Sequence, residues 1–208
     1  DDLIPLTNFI NAVMASESRV GILDAKTYAV SAALPNIVTS GVSLIGAGPS
    51  SSHDIGSLDV GTVIKKIGAA GGTMLTIAPP SGAGNQRLDG IHLIGITFDC
   101  NANADKGLVV KSIAKSVLEL TVLNAVIDGL TLDVVPTLGE AKDTQFNRIM
   151  YTARQVEADG IALRLKGDAV ANTSFNWFER IDIVHKNGLA VIEENADNNL
   201  WGQVRLFQ

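Results

Sequence analysis

The chain has 208 residues, of which 46% are apolar, 18% charged and 5% aromatic, and it carries a net charge of −6. Such a composition fills one sizeable core and excludes a disordered chain; the acidic balance, with no basic cluster, excludes binding to nucleic acid or an anionic membrane surface. Cys100 is the lone cysteine, so disulfide frameworks and multi-thiolate metal sites are excluded, and no apolar run reaches the ~18 residues of a membrane span.

The first element is a helix. From Leu6 the apolar residues Phe9, Ile10, Val13 and Met14 keep one amphipathic face, with Thr7 or Asp2 as candidate caps and Pro5 in the first turn. The absence of a starter Met or a leader pattern at Asp1 suggests a start within a longer protein. Residues 1–20 are expected to form an N-terminal capping α-helix and 21–208 a single all-β domain.

After Val20, short aliphatic runs alternate with Gly, Asn, Asp and Ser clusters. They comprise Val42–Ile45, Thr62–Ile64, Thr73–Ile77, Ile91–Phe98, Leu108–Val110, Val117–Val122, Leu130–Val135, Ile161–Leu165, Ile181–Val184 and Leu189–Ile192. These are strand signatures bounded by turns. Gly46-Ala47-Gly48 lacks the third glycine and following helix of a phosphate-binding loop, so it reads as a turn.

The arrangement follows from internal repeats. Asparagines recur at 101, 124, 147, 176 and 199, in steps of 23, 23, 29 and 23, with apolar Val126, Ile149, Phe178 and Trp201 two residues beyond the last four. A second register reads Gly107-Leu-Val-Val, Gly129-Leu-Thr-Leu, Gly160-Ile-Ala-Leu and Gly188-Leu-Ala-Val. Several short strands within a 23-residue period predict a solenoid, a parallel β-helix with stacked strands ~4.8 Å apart. The first, third and fifth residues after each glycine should point inward, and the asparagines should sit in left-handed bends and form a hydrogen-bonded ladder.

Residues 22–101 carry a resemblance. Lys26-Thr27-Tyr28, Gly41-Val42-Ser43-Leu44-Ile45-Gly46-Ala47-Gly48 and Asp89-Gly90-Ile91-His92-Leu93-Ile94-Gly95-Ile96-Thr97-Phe98-Asp99 resemble the N-terminal coils of the pectate-lyase-like superfamily, above all bacteriophage tailspikes and tail fibres. Lys26 stands where that pattern has glycine. The resemblance implies a right-handed parallel β-helix with a capping helix, acting as a virion or extracellular homotrimer on host surface polysaccharide. Its motifs are architectural and bring no catalytic residues.

Site candidates therefore come from chemistry. Outward positions four residues after the glycines align Lys111, Asp133, Arg164 and Ile192, a salt-bridge ladder or a substrate row; Asp182 and Arg205 align similarly. A glycosidase needs two carboxyls ~5–9.5 Å apart, for which Asp133, Glu179 and Asp159 are the catalytic candidates. Glu157, Glu193 and Glu194 are further exposed acids, although Glu193-Glu194 reads as a turn. Trp177, Arg164, Arg180 and Lys111 are the substrate-binding candidates, Trp177 because it falls one position off the inward row that Trp201 shares. His53, His92 and His185 lie far apart and no dense Asp cluster occurs, so no metal or other cofactor is expected, and hydrolysis is favoured over lyase chemistry.

Phage-type recognition of host polysaccharide, with or without cleavage, is the leading expectation. A secreted polysaccharide lyase or glycoside hydrolase is the alternative, and a non-catalytic virion shaft the third. The chain stops in mid-coil at Val204–Gln208, which suggests a fragment or a trimer subunit.

Overall fold

A computed structural model of the chain describes residues 1–48, 61–80, 87–135, 143–156, 160–168, 171–185 and 189–207. Among the described residues, one helix, α1 (Leu3–Ala15), is followed by strands alone. Asp2 does not cap it through its side chain; Asp1 Oδ1 accepts the Leu3 N–H at 3.0 Å, and Asp2 Oδ2 accepts the Ala29 N–H at 2.9 Å. The acidic start thus ties the helix down onto the first strands. Leu6, Ile10 and Val13 bury its apolar face against the core.

The strands β1 (Val20–Ile22), β2 (Thr27–Val30), β3 (Ser43–Ile45) and β4 (Thr62–Lys66) come first. A three-strand circuit then repeats. It runs through β5 (Thr73–Ile77), β6 (Leu88–Asp89) and β7 (His92–Asp99), then β8 (Lys106–Lys111), β9 (Ile113–Ala114) and β10 (Val117–Leu123). The next two circuits are β11 (Asp128–Asp133), β12 (Thr144–Gln145), β13 (Arg148–Val156), and β14 (Ile161–Lys166), β15 (Thr173–Ser174), β16 (Trp177–His185). The last is β17 (Leu189–Glu194), β18 (Ala196–Asp197) and β19 (Leu200–Phe207).

Each member of a circuit joins a different sheet. The first sheet is ordered β1-β3-β7-β10-β13-β16-β19, with β2 pairing β4 and β4 pairing β7; the second is β17-β14-β11-β8-β5 and the third β18-β15-β12-β9-β6. Every pairing among the described strands is parallel, so circuit stacks on circuit in an arrangement that fits a parallel β-helix. Inside run aliphatic columns: Leu75, Leu108, Leu130, Leu163 and Val191 share one, with the first four buried. That column explains why the chain is rich in Leu, Ile and Val yet poor in aromatics.

Two sequence alignments shift. Asp128 pairs with both Lys106 and Ile161, so Gly129 lies level with Ala162 and not with Gly160. The position demands a small residue: a Cβ at Gly129 would meet Tyr151 Oη at 2.3 Å and the Ala162 carbonyl at 2.5 Å. Because the slip is two residues, inward and outward faces are preserved. Leu189, expected inward, is exposed on the last circuit.

The asparagines also divide into two sets. Asn101 and Asn124 occupy left-handed backbone (φ 53° and 55°), as expected. Asn147, Asn176 and Asn199 belong to another bend, where the residue before each one turns the chain: Phe146 (φ 56°), Phe175 (φ 53°) and Asn198 (φ 50°). In this bend the ladder does form. Asn147 Nδ2 donates to Asn176 Oδ1 at 2.8 Å, and Asn176 Nδ2 to Asn199 Oδ1 at 3.1 Å; Asn147 Oδ1 in turn accepts the Ser116 N–H at 3.0 Å.

Candidate functional site

The outward row on the second sheet is an ion-pair network. Lys111 Nζ lies 3.3 Å from Asp133 Oδ2 across β8 and β11. Arg164 lies opposite Thr131, not Asp133, which is the two-residue slip seen from outside. Its guanidinium reaches Asp128 Oδ1 at 3.0 Å and Glu194 Oε1 at 2.6 Å, while Lys106 Nζ holds Asp128 Oδ2 at 2.8 Å. Burial alone would raise the Asp128 carboxyl, yet hydrogen bonds and charges from Lys106 and Arg164 hold it below the usual carboxylate range. Charged groups matched this closely brace successive circuits.

The outer face of the first sheet is different. Arg148, Trp177 and Leu200 occupy one column on β13, β16 and β19. Trp177 is exposed, with the Arg148 guanidinium 5.7 Å from its ring centroid. At Glu179 strand β16 carries a bulge, since Ile149 pairs with Phe178 and Met150 with Arg180. The extra residue sends Glu179 towards Arg148, whose Nε it accepts at 2.5 Å. That hydrogen bond holds the Glu179 carboxyl below its ordinary range and raises the Arg148 guanidinium.

Further along the same face, Arg205 grips both oxygens of Asp182, at 2.5 and 2.6 Å. Arg180 approaches Asp182 only to 3.4 Å and is 52% exposed when measured on its side chain. Among the described residues, Asp182 is the one carboxylate within ion-pair distance of it, and its charge also favours the ionised Glu179. The strip thus offers an aromatic face, a guanidinium with donors to spare and two carboxylates, the combination that recognises hydroxyl-rich ligands.

Of the sequence candidates, Trp177, Glu179 and Arg180 come together on β16, whereas Lys111, Asp133 and Arg164 lie on the second sheet. Asp159, Glu157 and His53 fall outside the described residues, as does the side chain of His185. Trp201, half-buried, stacks on the buried Phe178 with centroids 4.3 Å apart. Among the described residues, no three His, Cys, Asp or Glu side chains gather as a metal site. No described helix is long and apolar enough to cross a membrane, which says nothing of strands.

Sequence reasoning passed over Phe146 and Phe175. Both rings are exposed and stack with centroids 5.7 Å apart and planes 17° from parallel. Their signal lies in the repeated flanks Thr144-Gln145-Phe146-Asn147 and Thr173-Ser174-Phe175-Asn176, in which the residue before each asparagine takes the bend.

Comparison with known proteins adds the fold. No protein-family model and no curated protein matches the chain. A solved structure entitled Geobacillus virus E2 ORF18 superposes with a TM-score of 0.64 at 17% identity, covering 98% of this chain and 45% of that one. The two share an architecture, and this chain spans less than half the length of its viral neighbour.

Proposed function

We propose that the chain is a right-handed parallel β-helix from a phage or prophage tailspike-like protein, and that it binds host surface polysaccharide through the outer face of β13, β16 and β19. The observation that carries this is the exposed strip of Trp177, Arg148, Glu179 and Arg180 on one rigid sheet. Sugars present hydroxyls that suit carboxylate and guanidinium partners, and C–H faces that suit an indole. A flat parallel sheet holds such groups in a fixed line without ordering cost, which favours an extended polymer. Likeness in fold to a virus protein supports a virion setting; the homotrimer is proposed from the resemblance of the sequence alone.

Binding without cleavage fits the electrostatics better than hydrolysis. Among the described residues, both carboxylates with displaced titration, Asp128 and Glu179, are displaced downward. A glycosidase acid requires the opposite direction. Asp133 is paired with Lys111 on another sheet, leaving Glu179 without it as a catalytic partner.

An array of purified bacterial capsular, O-antigen and wall polysaccharides tests the proposal. Retention of one or a few polymers, with no new reducing ends released, is the expected result. Release of new ends would move the chain to the hydrolase alternative, and retention of none would leave the structural shaft.

A further inference from the structure

The bend that joins the third sheet to the first is a column of left-handed residues. Gly90 (φ 69°), Lys115 (φ 52°), Phe146 (φ 56°), Phe175 (φ 53°) and Asn198 (φ 50°) occupy it in successive circuits, set by the pairing of β6, β9, β12, β15 and β18. Glycine and asparagine enter that conformation at little cost, whereas for a bulky aromatic it is a strained outlier. Two consecutive circuits nonetheless place phenylalanine there.

Neither ring is put there for the core, because Phe146 remains 56% and Phe175 51% exposed. Folding alone would favour asparagine or glycine at both positions. Strain retained together with an exposed apolar surface marks a site that is used. The ring–ring stack recovers part of the cost and holds both side chains in one orientation.

We infer that Phe146 and Phe175 form a stacking ridge for the C–H faces of pyranose rings, continuous with Trp177 two residues further along the chain. This rests on the polysaccharide reading and adds to it a subsite where contact is apolar. The ridge is too small for a protein partner. Three aromatic side chains about half exposed offer roughly 300 Å², against the ~800 Å² that each side of a stable protein interface buries. Its flanks along the bend are polar, with exposed Lys115 and Asn198 in the circuits before and after and Arg148 beside it committed to Glu179, while exposed Leu200 adds one aliphatic side chain next to Trp177. A small apolar ridge within a hydrogen-bonding rim matches a ligand that is itself apolar on one face and hydroxylated at its edge.

The test is affinity electrophoresis in gels holding each polysaccharide of the array, using the native chain and a Phe146→Asn/Phe175→Asn double variant. Asparagine relieves the strained backbone, so the variant should unfold no earlier than the native chain. Its affinity for the retained polymer should fall by about tenfold or more, equally at low and high salt, because the lost contact carries no charge. A variant retarded like the native chain overturns the ridge while leaving the proposed function standing. If the native chain is retarded by no polymer, ridge and function fall together. A change in oligomeric mass on substitution, read by light scattering, would make the ridge a protein contact and overturn the sugar assignment alone.

Discussion

Asp128 is the clearest case of a single residue whose chemistry decides its role. Its carboxylate is almost wholly withdrawn from water, and three groups face it: Lys106 at 2.8 Å, Arg164 at 3.0 Å and the Thr131 hydroxyl at 3.3 Å. A group whose folded pKa is lowered adds stability above its unfolded value, and that stability is lost as pH falls through the folded value. Asp128→Asn should therefore destabilise the chain by roughly 2 kcal/mol at neutral pH. The gap between native and variant unfolding curves should close below about pH 4. Chemical denaturation at neutral and acid pH checks both statements. Cys100 lies at the other extreme: burial, then the charge of Asp99, raises its thiol far above the ordinary range, so it behaves as an inert core side chain.

At the scale of elements, the bends hold the circuits in register. Asn176 is fully buried; its amide donates to the Thr144 carbonyl at 2.9 Å and accepts from Asn147. Asn176→Ala would remove the side-chain donor to the Thr144 carbonyl and the acceptor of one Asn147 amide N–H, the other still reaching the Ile113 carbonyl, at roughly 1–3 kcal/mol per buried group. We expect a loss of about 3 kcal/mol, measured as a lowered denaturation midpoint, with no change for Asn36→Ala, an exposed position outside the left-handed region, as control. The sequence made this ladder visible through the spacing of its asparagines, because a hydrogen bond between stacked amides needs the same residue in each circuit. The two-residue slip at Gly129 was hidden, since glycine and alanine both satisfy the crowded position and only backbone pairing shows which one does. Strand β13 was missed as well: its Arg148, Met150, Thr152 and Arg154 alternate with Ile149, Tyr151 and Ala153, and this broke the aliphatic run. The bulge at Glu179 has no sequence signature either, as an inserted residue looks like any other until its neighbour's register is known.

For the whole molecule, the mostly-β character, with parallel strands stacked circuit on circuit, was legible because repetition is a property of the sequence itself. The proposed binding face was less so. Trp177 could be picked out by parity, one position off the inward row, but the grouping with Arg148 and Glu179 depends on which circuits stack. The central claim is that the Trp177 face holds polysaccharide, and the protein carries its own probes, since Trp177 and Trp201 are its two tryptophans. Trp177 lies exposed on that face, and Trp201 stacks on the core at Phe178. The decisive measurement is tryptophan emission titrated with the polysaccharide the array retains, in Trp177→Phe and Trp201→Phe variants. A shift that survives Trp201→Phe and vanishes in Trp177→Phe is the expected result. A shift that persists without Trp177 and disappears without Trp201 would contradict the assignment and place the ligand elsewhere on the fold.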